Sequence, residues 1–493
     1  MSAKSLPDAK TAHRLSGLNT HQIRASKLAV LLGDALAMGL AFYVAVWLSS
    51  WLVMGQTDQI QAWLSMQDIP RYWAWWGIAA TGLLSLLMIY QHYSDRRPFW
   101  DEFRDFLQLV MFLALLDMTL VAMLKWNVSR LWWAVVWLLV LFFLILIRAV
   151  TRSVLQKMGL WTRPTVIIGI GPNASEAALA LKSQPEMGLR VDFFVDAGGC
   201  DKQAHGSAQP RLPAEDIRRM AARPGIQWVI ALEHVQSEQR EFWLRQLAQW
   251  GVPDISVIPA MRGVPLHGTD ISHFFSHEIA LLRMRNNLRR WPARLTKRIF
   301  DTLTALLLLL LFSPVMLAIA LWIRQDGGPA MFAHPRIGKG GRVFKCFKFR
   351  SMVVDAEAKL ESLLQARPEM RAQWSEERKL RNDPRVSSAG RFLRRTSLDE
   401  LPQLINVIRG EMSLVGPRPV VHAELARYAD QVGYYLMVRP GMTGIWQISG
   451  RNDLDYDTRV YLDTWYVKNW SLWYDLVILI KTVQVVLKGR GAY

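Results

Sequence analysis

The sequence predicts a membrane α-helical bundle, then an α/β Rossmann-like cytoplasmic domain, then an α+β monotopic domain with a re-entrant membrane helix. Three observations predict this order. Four apolar runs fill the first third of the chain, strand-like and helix-like segments alternate from Pro164 onward, and a fifth apolar run is interrupted by Ser313-Pro314. A length of 493 residues suits about three domains. Hydrophobic residues make up 51% and charged ones 20%, which excludes a disordered chain and argues against a simple soluble enzyme. Lys and Arg outnumber Asp and Glu by 59 to 41, a formal charge of +18. Such a basic, Trp-rich chain suits nucleic acid or an anionic membrane surface. Two cysteines, Cys200 and Cys346, are too few for a disulfide framework or a metal cage and fit a reducing cytoplasm.

Residues 1–26 read as a cytoplasmic N-terminal tail and 27–150 as a four-helix transmembrane bundle. The runs are Leu28 to Met54, Tyr72 to Tyr90, Phe106 to Leu124 and Leu131 to Ile147, each near the roughly 20 residues that cross a bilayer as a helix. The first has no clear small-x-small cleavage site, so it stays as a span rather than leaving as a signal peptide. Basic residues cluster before the first span, between the second and third, and after the fourth, which places both ends of the bundle in the cytoplasm. Asp34 and Asp117 sit within apolar runs. A carboxylate there is a functional candidate, but an interhelical hydrogen bond or a protonated pair is the preferred reading.

Residues 164–265 read as the Rossmann-like domain. TVIIGI, LRVDFFVD, IQWVIALE and ISVIPA are strand-like, with ASEAALALKS and a segment around Glu241 to Trp250 as helices; strands alternating with helices imply a parallel sheet. Gly169, Gly171 and Ala174 form a G-x-G-x-x-A turn, with Asp196 ending the second strand. That is the context of a dinucleotide fingerprint, although a tight strand-to-helix turn needs no ligand and is preferred. A membrane-anchored NAD-dependent sugar dehydratase would need a Tyr-x-x-x-Lys pair, and no tyrosine lies between Trp161 and Trp291. His273 and His277 have helical metal-ligand spacing but no third ligand, so packing or surface exposure is preferred.

Residues 283–322 read as an interface helix and a re-entrant membrane hairpin. Arg283 to Arg298 holds seven Lys/Arg and no acid, interleaved with apolar residues, a pattern for a helix on anionic headgroups. The run Leu303 to Trp322 is long enough to span, but Ser313-Pro314 at its middle favours a kink. Both flanks are basic; a hairpin that enters and leaves on the cytoplasmic side keeps them there.

Residues 323–493 carry the chemistry. FKCFKFRSM at 344–352 reads as a strand with Lys345, Lys348 and Arg350 on one cationic face. GRFLRRTSLDELPQL at 390–404 brings Arg394, Arg395, Asp399 and Glu400 within one or two helical turns. Neighbouring carboxylates on a helix point apart, so one can attack while the other holds a divalent cation. The plain reading is Ser397 as an N-cap with acids in the first helical turn. GEMSLVGPRP at 410–419, RPGMTGIWQISGR at 439–451 and YLDTWYVKNWSLWYD at 461–475 follow, and arginines beside Gly and Pro turns suit forked phosphate contacts.

From about Arg294 to the C-terminus these ordered motifs resemble the bacterial sugar transferases, the polyprenyl-phosphate hexose-1-phosphate transferases also called large monotopic phosphoglycosyl transferases. YSDRRPFWDEF, FFSHEIALLRMRNNL and the terminal GAY extend the resemblance over the whole chain, toward members that use UDP-galactose, with UDP-glucose as the alternative. The resemblance implies a membrane enzyme of the bacterial inner membrane. It moves a hexose 1-phosphate from a UDP-sugar to undecaprenyl phosphate, releases UMP, and starts O-antigen or other polysaccharide synthesis. It also implies a cytoplasmic catalytic domain, a homodimer and no nucleic-acid partner. Residue by residue, it makes Asp399 the nucleophile of an aspartyl-phosphosugar intermediate and Glu400 the ligand of a Mg²⁺ cofactor. Lys348 and Arg394 fall beside that dyad, Arg418 and Arg451 among phosphate-binding groups, and Asp463 and Asp475 at further substrate-site positions, Asp475 with a structural alternative. Ser313 and Pro314 become the re-entrant kink. Trp465, Trp470 and Trp473 are expected to pin the domain at headgroup depth, and 473–488 to form an amphipathic interface helix or ordinary core. Two readings of other classes stand beside this one: the nucleotide-dependent dehydratase, and a non-catalytic scaffold.

Overall fold

The computed structural model describes residues 18–54, 69–196, 214–260, 269–273, 280–284, 288–366, 383–450 and 454–488, less a few single positions within them. Two compact units, Met1–Arg262 and Gly263–Tyr493, each hold their own cores.

The first unit begins with helices α1 (Thr20–Met54), α2 (Ile69–Met88), α3 (Phe99–Met123) and α4 (Arg130–Lys157). Trp75, Trp132, Leu86, Leu113 and Leu144 are buried between them, while Leu32, Phe112, Leu115 and Leu138 face outward and are more than half exposed. Helices apolar on both faces belong in lipid rather than water. Among the described residues, Thr20–Ser49, Phe99–Met123, Arg130–Lys157 and Trp291–Arg324 are long and apolar enough to cross a membrane. The expected second span, α2, is not among them: Arg71, Tyr72, Trp73, Trp75 and Trp76 fill its first half, and those rings favour the interface over the hydrocarbon.

The two acids within the apolar runs meet arginines. Asp34 on α1 accepts hydrogen bonds from Arg148 Nε on α4 at 3.1 Å and from the Tyr93 hydroxyl at 2.7 Å. Arg148 also pairs with Glu102 on α3, which Arg152 grips at 2.6 and 2.7 Å. Asp117 pairs with Arg71 and accepts Trp137 Nε1 at 3.2 Å. Both acids are fully buried, so each arginine is the countercharge without which burial would be prohibitive. The interhelical bond expected of them is present, as an ion pair rather than a pair of acids.

The rest of this unit is a parallel sheet in the order β2-β1-β3-β4, with β1 (Arg163–Ile168), β2 (Leu189–Val195), β3 (Gln227–Ile230) and β4 (Ile255–Val257). Helices α5 (Pro172–Lys182), α6 (Ala214–Ala221) and α7 (Ser237–Gln249) complete it. Val166, Trp228 and Ile230 build the core on one face, Ile167 and Val229 the core on the other. A side chain so buried contributes about 1.5–3 kcal/mol. The near-continuous apolar strands of the sequence are explained by this two-sided burial.

The second unit opens with the antiparallel hairpin β5 (Thr269–His273) and β6 (Ala280–Met284). His273 therefore ends a strand and does not lie on a helix; His277 lies outside the described residues. Helix α8 then runs without interruption over Trp291–Arg324, with Pro314 inside it. The basic stretch does not make a helix of its own: Arg283 belongs to β6, and Trp291 starts the helix that continues through the apolar run. Lys297 and Arg298 turn inward, Arg298 donating to the carbonyls of Val407 and Ile408 at 2.6 and 2.7 Å. Trp291, Leu295 and Ile299 are the exposed side.

Beyond α8 come the ribbon β7 (Met331–Ile337) and β8 (Val343–Phe349), then α9 (Ala356–Ala366), α10 (Ser388–Thr396) and α11 (Gln403–Arg409). Strands β9 (Ser413–Val415) and β10 (Gly441–Thr443) pair in parallel, followed by α12 (Tyr456–Lys468) and α13 (Leu472–Lys488). Ala305 of α8 packs with Leu404, Val407 and Tyr466. Ile319 and Ile323, near the other end of α8, pack with Phe349 and Leu393. Both ends of the apolar helix are thus seated on one domain.

Candidate active site

The β7–β8 register places Phe332, His334 and Arg336 opposite Lys348, Cys346 and Phe344. Side chains alternate along a strand, so Lys348, Cys346 and Phe344 share one face and Lys345 lies on the other. The expected cationic face of Lys345, Lys348 and Arg350 is not formed: Lys345 is three residues from Lys348, and Arg350, past the end of β8, donates to Ile323 O at 3.1 Å.

Helix α10 starts against the end of this ribbon. Ser387 caps it, accepting Gly390 N–H at 2.9 Å. A Cβ on Gly390 would lie 1.9 Å from Ser351 O, so only glycine permits that approach. Arg394 Nε donates to Ser351 Oγ at 3.0 Å. The helix ends at Ser397, a non-glycine residue at φ 57°, and the chain enters a 3-10 turn, Leu398–Glu400. Ser397 therefore closes α10 and makes no side-chain cap for the acids, contrary to the N-cap expectation; the left-handed residue reverses the chain there. Leu398 and Leu401 hold the turn against Ile319 and Ile323. Asp399 and Glu400, between them, keep 14% and 33% of their side chains exposed.

Lys348 Nζ donates to Glu400 Oε1 at 2.6 Å and stands 4.0 Å from Asp399 Oδ2. Burial, then the Glu400 charge, push the Asp399 carboxyl up to about 6, with Lys348 and Arg394 opposing. Burial works against the Lys348 ammonium, yet Glu400 and Asp399 outweigh it and hold its pKa above the ordinary lysine value. At neutral pH the site is a mostly ionised, unusually basic carboxylate beside a firmly charged ammonium and a second carboxylate. Such a carboxylate suits nucleophilic attack on an electrophile whose charge a cation can balance.

Asn406 sets this geometry. Fully buried on α11, it accepts Phe347 N–H at 3.0 Å and donates to Lys345 O and Glu411 Oε2 at 2.7 and 2.6 Å. It binds the strand carrying Lys348 to the helix that follows the dyad. The sequence reading missed it; the signal was a polar residue beside Leu404 and Val407 on the core-facing side of a short helix.

Arg418 and Arg459 lie over the two-ring system of Trp446, at 5.5 and 5.1 Å. Burial raises the pKa of the Cys346 thiol, and Lys348, Arg336 and Arg418 oppose the rise. Arg451 lies outside the described residues. Asp463 is buried and accepts the Tyr428 hydroxyl at 2.7 Å; burial raises its carboxyl to about 7 against Tyr428, Arg418 and Arg459. Asp475 is fully buried. Its Oδ1 is 2.8 Å from the Tyr466 hydroxyl, and its Oδ2 accepts Lys297 Nζ at 2.7 Å and Trp470 Nε1 at 3.0 Å. Neither oxygen is left for a substrate. Trp470 is likewise core rather than a headgroup anchor, with Trp465 and Trp473 half-buried, because its indole serves Asp475. Helix α13 buries Val477 and Ile478 and exposes Val483 and Leu487.

Among the described residues no cluster of three His, Cys, Asp or Glu forms a metal cage. Mg²⁺ needs none: it binds through one or two carboxylates, waters and substrate phosphates, and the partly exposed Asp399–Glu400 pair fits that demand.

In the other unit, Gly169 at φ 133° and Gly171 form the β1–α5 turn, with Ala174 buried behind it and Asp196 exposed after β2. Glu233 Oε1 accepts Asn173 N–H at 2.7 Å, and Asn173 Nδ2 donates to Leu232 O and Ile258 O. A carboxylate of the chain itself therefore sits at the helix N-terminus where a pyrophosphate would dock.

A partly exposed pair of carboxylates with a lysine against it, on a domain seated around an apolar helix, suits a membrane-associated group transferase. The chain belongs to the bacterial sugar transferases: the family model of that description matches residues 292–489, and relatives match almost end to end. It is 43% identical over 459 residues to the undecaprenyl-phosphate galactose phosphotransferase of Salmonella typhimurium, covering 92% of this chain and 95% of that protein. Against the UDP-galactose-lipid carrier transferase of Erwinia amylovora it is 44% identical, covering 94% and 98%. The undecaprenyl-phosphate glucose phosphotransferase of Komagataeibacter xylinus is 35% identical over 67% of this chain and 60% of its own. A family model described as a CoA-binding domain matches residues 85–222.

Proposed function

We propose that the protein transfers galactose 1-phosphate from UDP-galactose to undecaprenyl phosphate, releasing UMP and starting a polysaccharide on its lipid carrier. The observation that carries the reading is the Asp399–Lys348–Glu400 arrangement, with Lys348 2.6 Å from Glu400 and 4.0 Å from Asp399. Galactose is supported by the names of the near-full-length relatives; the glucose-named relative matches less of the chain and less closely.

Donor and acceptor are both phosphates and repel each other, so dividing the displacement in two removes their direct approach. Asp399 attacks the sugar-bearing phosphorus, its oxygen forming a P–O bond while the bond to the bridging oxygen breaks and UMP leaves. The acceptor phosphate then attacks the same phosphorus and frees Asp399. Lys348 balances charge on the transferring phosphoryl group, and Arg394 holds the end of β8 against α10 through Ser351. Arg418, with Arg451, is assigned to substrate phosphate. Glu400 would hold Mg²⁺, which supplies charge neutralisation to the diphosphate. Asp463 orders the wall around Arg418 and Arg459, and Asp475 anchors α8 to α12 and α13.

The acceptor phosphate lies at headgroup depth, so the domain has to sit on the membrane. In support, both ends of α8 contact the domain: Arg298 and Ala305 at one end, Ile319 and Ile323 at the other. A straight crossing would carry the second end to the opposite side. We therefore read Ser313-Pro314 as the bend of a re-entrant helix and place the catalytic domain on the cytoplasmic side, where UDP-sugars are found. The test is purified protein with Mg²⁺, polyprenyl phosphate and a panel of UDP-sugars. UMP release and lipid product with UDP-galactose at a rate above UDP-glucose support the reading; no product with any UDP-sugar contradicts it.

A further inference from the structure

Arg336 has no part in the chemistry described so far, yet it stands on the ribbon face that carries Lys348. Arg336, His334 and Phe332 pair with Phe344, Cys346 and Lys348, and directly opposed residues of an antiparallel pair share a face. The Arg336 side chain is 20% exposed. Its Nη1 donates to Pro419 O at 3.3 Å and reaches Glu424 only at 4.0 Å. Pro419 directly follows Arg418, so the turn that presents one guanidinium is tied to the other.

The two cations are close enough to oppose each other. Burial, then the Arg418 charge, hold the Arg336 guanidinium below its ordinary range. Arg418 meets the Trp446 ring at 5.5 Å and forms no ion pair among the described residues. The carboxyls that face them are Glu424, 4.0 Å from Arg336, and the buried Asp463, which takes the Tyr428 hydroxyl; neither forms a close ion pair with Arg336 or Arg418 among the described residues, and arginine forks match phosphate oxygens. Lys348 is differently placed: Glu400 engages it at 2.6 Å. The cations thus divide into one beside the dyad and two held together at the VGPRP turn, a division that suits the two phosphates of a diphosphate.

We propose that Arg336 and Arg418 form the subsite for the nucleoside monophosphate half of the nucleoside diphosphate sugar, and that Arg336 stabilises the departing UMP. The inference rests on the transferase reading above. In the first half-reaction an Asp399 oxygen bonds to the sugar-bearing phosphorus. The bond from that phosphorus to the bridging oxygen breaks, and the oxygen leaves with the electron pair as part of UMP. One negative charge passes from Asp399 to the UMP phosphate with no proton moved, and the two guanidiniums receive it. The second half-reaction involves no nucleotide and makes no demand on Arg336.

The experiment compares the full-length wild type with Arg336→Gln and Arg336→Lys. UMP release without acceptor reads the first half-reaction, discharge of preloaded enzyme by polyprenyl phosphate reads the second, and UMP inhibition and thermal melting complete the set. For Arg336→Gln the expected result is a rise of about tenfold or more in KM for the UDP-sugar and in the UMP inhibition constant, with the second half-reaction within about twofold of wild type. Arg336→Lys should recover part of the loss by keeping the charge without the fork. An unchanged UMP inhibition constant overturns the proposal. So does an equal loss in both half-reactions with a lowered melting temperature, because Arg336 would then only hold the turn through Pro419. If wild-type protein released no UMP, the transferase reading would fail, and UMP titration of wild type and variant would still decide the subsite.

Discussion

The Asn406 side-chain oxygen accepts the backbone N–H of Phe347 at 3.0 Å, one residue before the lysine that serves the dyad. Through it the strand of Lys348 and the helix after Asp399 and Glu400 move as one piece. Asn406→Ala removes the partner of the part-buried Phe347 N–H and Lys345 carbonyl, at a cost below that of a fully buried unpaired group, about 1–3 kcal/mol. We expect kcat to fall about tenfold or more with a smaller change in KM. The pH profile of the folded variant should also shift; a lowered melting temperature with an unchanged profile would reduce Asn406 to plain packing.

In the proposed reaction Asp399 attacks as the ionised carboxylate, and burial and the Glu400 charge push its carboxyl up to about 6. Activity should therefore rise with pH through that value and level off above it. Lys348 favours the ionised form, so Lys348→Met should move this acid limb to higher pH as well as slow the reaction. A limb that stays in place, or moves to lower pH, contradicts the electrostatic coupling.

Asp475 should behave as an anchor. Asp475→Ala takes from Lys297 its nearer carboxylate, leaving Asp301 at 3.7 Å and the Val415 carbonyl at 3.2 Å, and takes from Trp470 its acceptor. Breaking a fully buried pair costs about 3–5 kcal/mol, and the remaining partners lower that here. The expected result is a marked loss of thermal stability, with KM for the UDP-sugar near wild type in the protein that remains folded. A normal melting temperature with a raised KM would return Asp475 to the substrate.

Glu233 caps the helix that a dinucleotide would need. Titration of the full-length protein with NAD or coenzyme A should show no binding that depends on Gly171. Tight binding abolished by Gly171→Val would contradict this and revive a nucleotide-dependent role for the middle domain.

Much of the molecule was legible where one local rule decides. Sustained apolarity marked α1, α3, α4 and α8, two-sided burial marked β1 to β4, and the order of SLDEL, VGPRP and the Lys348 strand marked the candidate site. What escaped depended on contacts distant in sequence. Asp475 reads equally as a substrate-site acid or a structural one until Lys297, 178 residues away, is seen to pair with it. Trp470 looked like a headgroup anchor because its partner, Asp475, lies inside. Lys297 and Arg298 read as headgroup ligands, yet Arg298 caps the carbonyls of α11. The plain N-cap reading of Ser397 follows from a serine before two acids, a common helix start, whereas its left-handed backbone leaves no mark in composition.

The central claim is that Asp399 carries the phosphosugar. The most direct measurement incubates full-length protein with Mg²⁺ and labelled UDP-galactose, without polyprenyl phosphate, and maps the label by mass spectrometry of peptides. A phosphohexose on the peptide containing Asp399, discharged by polyprenyl phosphate and absent from Asp399→Asn, is the predicted result. Full UMP release by Asp399→Asn, or label on another residue, would contradict it.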